Sequence, residues 1–93
     1  MKYEQFNSVW DAIEDTPEEA MNMKLRSYLM KTFREHVEHT GLNHEQAAKL
    51  FGITQLRIAD LMSGKIDQFD FESFVNMATC AGFQIEMHVT GAA

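Results

Sequence analysis

Residues 47–65, AAKLFGITQLRIADLMSGK, leave this chain few ways to fold. Ala47, Leu50 and Phe51 recur at helical spacing and stop at Gly52. Ile58, Leu61 and Met62 then recur at i, i+3 and i+4 and stop at Gly64. A glycine between two periodic apolar runs predicts two short helices and a sharp turn, with Gly52 at positive φ. Ile53 is placed to plug the corner and Thr54 to cap the second helix. Ala47 and Ala48 are small, so the two helices can cross closely. With Ile58, Leu61 and Met62 facing inward, Gln55, Arg57, Asp60 and Ser63 are expected to point outward.

The flanking segments supply a body for that pair. Thr16-Pro17-Glu18-Glu19 is a helix start: Thr16 as N-cap, Pro17 at the first helical position and Glu19 completing a capping box. This helix is expected to run to about His39 and stop at Gly41, with Leu25, Leu29, Phe33 and Val37 as its apolar stripe. Asn43 can cap the first helix of the central pair. Asp70 can cap a further helix whose inner face is Phe71, Phe74, Val75 and Ala78 and whose end is Gly82. After it the period changes. Phe83, Ile85, Met87 and Val89 alternate with polar residues, the pattern of a half-buried strand. No other strong strand signal accompanies it. Its expected mate is the same strand of a second copy, paired antiparallel about a two-fold axis, with Phe83, Ile85, Met87 and Val89 as dimerisation residues.

Three regions follow: an acidic arm with a short helix over 1–15, a helical domain over 16–82, and a strand with its tail over 83–93. In the arm, Trp10 and Ile13 share a face and are the candidate anchors for a partner protein.

Among the 93 residues, 45 % are hydrophobic, which suits one globular domain and excludes a disordered chain. No apolar run approaches the ~20 residues of a membrane span, and the N-terminus has no stretch apolar enough for a signal peptide. The single cysteine, Cys80, cannot form an internal disulfide, so a reducing cytoplasm is the expected compartment. The net charge of −6 is uneven. Residues 1–23 hold one lysine against six carboxylates, a balance of −5, whereas residues 43–65 carry +1.

That local balance bears on what the projecting turn can do. Two short helices with a Gly turn make a helix-turn-helix, whose second helix can lie in the major groove of DNA. Its first turn carries Gln55, Leu56 and Arg57. A carboxamide can bond adenine bidentately, a guanidinium can bond guanine O6 and N7, and an isobutyl group can meet a thymine methyl. Asn43, His44 and Thr54 stand at helix N-termini, where free N–H groups attract phosphate, and Lys65 follows the second helix. These seven are the candidate DNA-binding residues. A double-stranded DNA operator is then the expected partner, and a dimer the expected route to useful affinity.

Other constellations are weaker. His36 and His39, with Glu35, Glu38 and His44 near them, match no closed metal site, and histidines near a helix C-terminus are favoured by its dipole. Cys80 reads as a buried structural thiol. No serine has a nucleophile-elbow context. No metal, cofactor or catalytic residue is expected, and the chain does not read as an enzyme.

Residues 43–65 resemble the xenobiotic-response-element (XRE) class of helix-turn-helix domains, which includes phage repressors and Cro. A wider set of motifs is similar to a HigA-type, antitoxin-like subgroup: SVWDAIEDTPEEA at 8–20, MKLRSYLM at 23–30, QAAKLFGITQLRIADLMSGKID at 46–67 and FVNMATCAGFQIEMHV at 74–89. The resemblance implies an all-α, lambda-repressor-like domain and a homodimeric transcriptional repressor. It also implies a RelE/HigB-like toxin as a partner, with the two genes' operon autoregulated. It places Gln55 and Arg57 on base-reading positions and His44, Thr54 and Lys65 on phosphate-contacting ones. Leu56 departs from the usual small, polar or Pro residue. The last helix of phage repressors is replaced here by the strand 83–90.

Overall fold

A computed structural model describes residues 16–91. Among these residues four helices run in sequence: α1 (Pro17–Thr40), α2 (His44–Phe51), α3 (Gln55–Met62) and α4 (Phe71–Ala81). One 3₁₀ turn, Ile66–Gln68, separates α3 from α4.

Local chemistry sets each boundary. Thr16 sits in extended backbone and its hydroxyl oxygen accepts from the Glu19 N–H at 3.0 Å. At the other end Leu42 N–H bonds the Val37 carbonyl, closing α1 beyond Gly41. Asn43 and Gln46 form a reciprocal capping box on α2. Thr54 caps α3 and Asp70 caps α4, each side chain accepting an N–H three residues on.

The core gathers one stripe from every helix. Phe33 of α1 lies 5.0 Å from the Phe51 ring, 5.9 Å from Phe74 and 5.6 Å from Phe83, so a single ring links α1, α2, α4 and the C-terminal segment. Ala47, Ile58, Leu61 and Phe74 are fully buried. Burying each large side chain contributes about 1.5–3 kcal/mol, and α2 and α3 are each too short to hold helical form alone. Packing on α1 and α4 therefore keeps the central pair in place.

Four expectations need correction. On α1, Met30 is buried while Leu25 is only half-buried. On α4, Met77 enters the core, and Phe71 and Val75 stay half-buried. Cys80, expected inside, is exposed because the Phe74–Met77–Ala78 stripe turns it outward. Residues 83–90, read as a strand, form no ladder, and there is no strand among the described residues. Phe83 packs into the core and its N–H bonds the Ala78 carbonyl at 2.9 Å. Beyond it Ile85, Met87 and Val89 face solvent. A strand needs a second extended segment to pair with, and residues 16–82 offer none.

Candidate nucleic-acid interface

The turn between α2 and α3 spans Gly52, Ile53 and Thr54. Gly52 adopts φ 71° and its N–H bonds the Ala48 carbonyl, as does the Ile53 N–H at 3.1 Å. A side chain at position 52 is disfavoured twice. Left-handed backbone disfavours it, and its Cβ would lie 2.8 Å from Cys80 Sγ on α4. The turn is thus pressed against α4, which fixes the direction in which α3 leaves.

Ile58 and Leu61, both with no exposed surface, anchor α3 by its inner face. Its N-terminal turn projects. Thr54 Oγ1 accepts from the Arg57 N–H at 3.1 Å, Gln55 is exposed, and Leu56 is 75 % exposed. A leucine so open on a rigidly seated helix has no packing role within the described residues. At the start of α2, Asn43 and His44 are exposed; the Asn43 carboxamide oxygen is used in capping Gln46. Lys65, with a 61 % exposed side chain, lies 3.7 Å from the Asp60 carboxylate. An exposed pair of this kind contributes about 0–1 kcal/mol and leaves the ammonium available.

Arg57 lies differently from the other candidates. It is half-buried, with Cζ 4.3 Å above the Phe69 ring centroid and Nη1 donating to the Gln68 carbonyl at 2.7 Å. The guanidinium lies along the protein, where an outward-pointing one was expected. A second arginine holds the same loop: Arg26 of α1 donates from Nη1 to the carbonyls of Phe69 at 3.0 Å and Ile66 at 3.4 Å. A third, Arg34, brings Nη1 within 3.3 Å of where a Cβ on Gly64 would sit. Gly64 is at φ 77°, and α3 ends before it, with Ser63 as its C-cap. Sequence reasoning missed Arg26, Arg34 and Phe69. The available signal was Phe69 itself, a large apolar residue between two helices.

Asp70 closes the loop. Its carboxyl is held below the ordinary aspartate value by hydrogen bonds to the Ser73 side chain and N–H, with a smaller contribution from the Arg26 charge. Trp10 and Ile13 lie outside the described residues. Among the described residues no group of three or more His, Cys, Asp or Glu is placed to hold a metal, so His36, His39 and Glu35 form no such cluster. His36 instead meets Phe83 edge-on at 5.0 Å. No described helix is long and apolar enough to cross a membrane.

Two short helices, a Gly turn wedged on a supporting helix and a projecting capped tip define a helix-turn-helix of the DNA-binding kind. A family model described as a helix-turn-helix domain matches residues 12–90, and the chain belongs to that family. No curated protein matches the chain.

Proposed function

We propose that this protein is a sequence-specific transcriptional regulator, a repressor that binds a pseudo-palindromic operator as a homodimer. The observation that carries the reading is the contrast along α3: Gln55 and Leu56 stand free at its tip while Ile58 and Leu61 are fully buried one turn later. A tip held in this way keeps its geometry when it enters a major groove, so little ordering cost opposes binding. Gln55 and Leu56 are the proposed base contacts, to adenine and a thymine methyl. Asn43, His44, Thr54 and Lys65 are the proposed phosphate contacts. Repression is steric, since an occupied operator excludes polymerase.

The dimer reading rests on residues 84–90, whose backbone forms no ladder among the described residues and whose Ile85, Met87 and Val89 alternate and are exposed. An antiparallel pairing with a second copy satisfies those backbone groups and covers one face. Two copies place their α3 helices ~34 Å apart, one turn of duplex. The chain's charge of −6 makes a single weak grip insufficient, which favours two half-sites.

A second role, neutralising a RelE/HigB-like toxin and autoregulating the shared operon, is supported by the resemblance and by the acidic composition of residues 1–23. A basic toxin suits that composition, with Trp10 and Ile13 as anchors.

In vitro selection from randomised duplexes tests the main reading. Enrichment of an inverted repeat with half-sites about one helical turn apart supports it. Recovery of no sequence above background rejects it. Co-expression with the product of the adjacent gene tests the second role, and its sign is growth rescue together with co-purification.

A further inference from the structure

We infer that Arg57 is a positioning residue and that its guanidinium locks the α3–α4 loop against α3, leaving base contact to Gln55 and Leu56. This inference rests on the DNA-binding reading above. Four contacts converge on the loop. The Arg57 guanidinium covers the Phe69 ring at 4.3 Å and bonds the Gln68 carbonyl at 2.7 Å. Arg26 bonds the Phe69 carbonyl at 3.0 Å from the side of α1. Phe69 is 1 % exposed and stacks on Phe74 with ring centroids 5.3 Å apart.

A guanidinium that swung out to a guanine would uncover the Phe69 ring and leave the Gln68 carbonyl without its arginine. Gln55 and Leu56 face no such conflict, being exposed already. The chemistry requires arginine in particular. A guanidinium spreads its charge over a ring and still directs a fixed N–H to a carbonyl, whereas an ammonium is a compact point charge. The loop so fixed begins at Lys65, whose carbonyl accepts from Gln68 N–H at 3.0 Å. Lys65 itself is tied to α3 by its N–H bond to the Asp60 carbonyl at 3.0 Å, so Arg57 fixes the far side of the loop that the lysine opens, and the positive charge it leaves there adds to the field that draws DNA in.

The test uses the full chain and the duplex that the unsubstituted protein selects from a random pool. Arg57→Ala and Arg57→Lys are expected to weaken binding to that duplex, and to each of its single-base variants, by one common factor of roughly three- to tenfold. Base preference stays unchanged, and lysine does not rescue although it keeps the charge. Phe69→Leu, once its circular dichroism shows a retained fold, is expected to match Arg57→Ala, with the double variant no weaker than either single one. A readout without DNA covers the case in which Phe69→Leu unfolds. In the free protein Arg57→Ala should speed amide exchange at Gln68 and Phe69 roughly fivefold or more, while Phe51 is unaffected. Loss of discrimination at one base pair in Arg57→Ala, with exchange at Gln68 and Phe69 unaltered, overturns the inference and makes Arg57 a base contact. If the unsubstituted protein selects no duplex, the regulator reading falls and this role falls with it. Selection followed by lost discrimination removes this role alone.

Discussion

Helix α3 and the segment 83–91 both carry apolar side chains at regular spacing, yet they end up in opposite states. On α3 the apolar set Ile58 and Leu61 is wholly inside, and the exposed Leu56 stands on a seated platform. In the C-terminal segment only Phe83 reaches the core, while Met87 is 57 % and Val89 90 % exposed. Regular spacing says which residues share a face. Burial depends on whether another surface is present to receive that face. An exposed apolar group on a seated helix is thus suited to recognition, whereas a row of them on unpaired backbone calls for a covering surface.

The largest expected effect tests the seat of α3. Ile58→Ala should lower stability by about 2–5 kcal/mol in urea unfolding, because the cavity lies between helices that cannot collapse freely. Val89→Ala on the same assay should fall within about 0.5 kcal/mol for dilute, monomeric protein. A reversal of that order would end the contrast. Next comes the turn that aims the tip. Gly52→Ala should cost about 1–3 kcal/mol through strained backbone and the clash with Cys80 Sγ, and adding Cys80→Ala should restore part of it. No recovery in the double variant's thermal melt would mean that backbone strain alone is responsible.

A smaller effect probes the covering surface of 83–91. Met87→Asp should weaken self-association by about tenfold or more in sedimentation equilibrium, leaving the monomer's stability within about 0.5 kcal/mol. Unchanged association, or none in the unsubstituted chain, would count against the proposed pairing of this segment. The smallest effect lies at the α4 cap. The folded state lowers the Asp70 pKa, so its contribution to stability is present above the ordinary aspartate range, ~3.9, and is lost as pH falls through the folded value. Asp70→Asn keeps a capping oxygen without that titration. Its melting temperature should decline less on acidification than that of the unsubstituted chain, and parallel declines would assign the acid sensitivity to other carboxylates.

The caps at Thr16, Asn43, Thr54 and Asp70 were legible because each is a bond over three residues, written locally. The turn at Gly52 was legible for the same reason. Three of the four α1 stripe residues, Leu29, Phe33 and Val37, are buried. Four residues advance a helix by about 40° beyond a full turn, so a strict four-residue stripe rotates off the core at Leu25, and Met30 joins the core from the other flank. A similar offset on α4 brought Met77 inside and left Val75 half out. The arginine contacts of the α3–α4 loop were illegible, since Arg26 and Phe69 meet across most of the described chain and neither carries a local signature of the other. Gln55 stands exposed where helical periodicity puts it, and Leu56 is exposed on the turn expected to project; Arg57, also expected outward, lies instead over a ring that periodicity does not see.

Phe83 has a consequence for where this chain tolerates shortening. Its ring completes the aromatic cluster around Phe33 and also contacts Phe51 and His36, whereas Ile85, Met87 and Val89 look outward. Proteolytic trimming from the C-terminal side as far as residue 84 would remove Ile85, Met87 and Val89 and leave the Phe83 ring on Phe33. A single further step, removing Phe83, would admit water to Phe33 and Phe51 together. Position 83 is therefore the frontier between a tail that the core of one copy does not enclose and a ring that plugs that core.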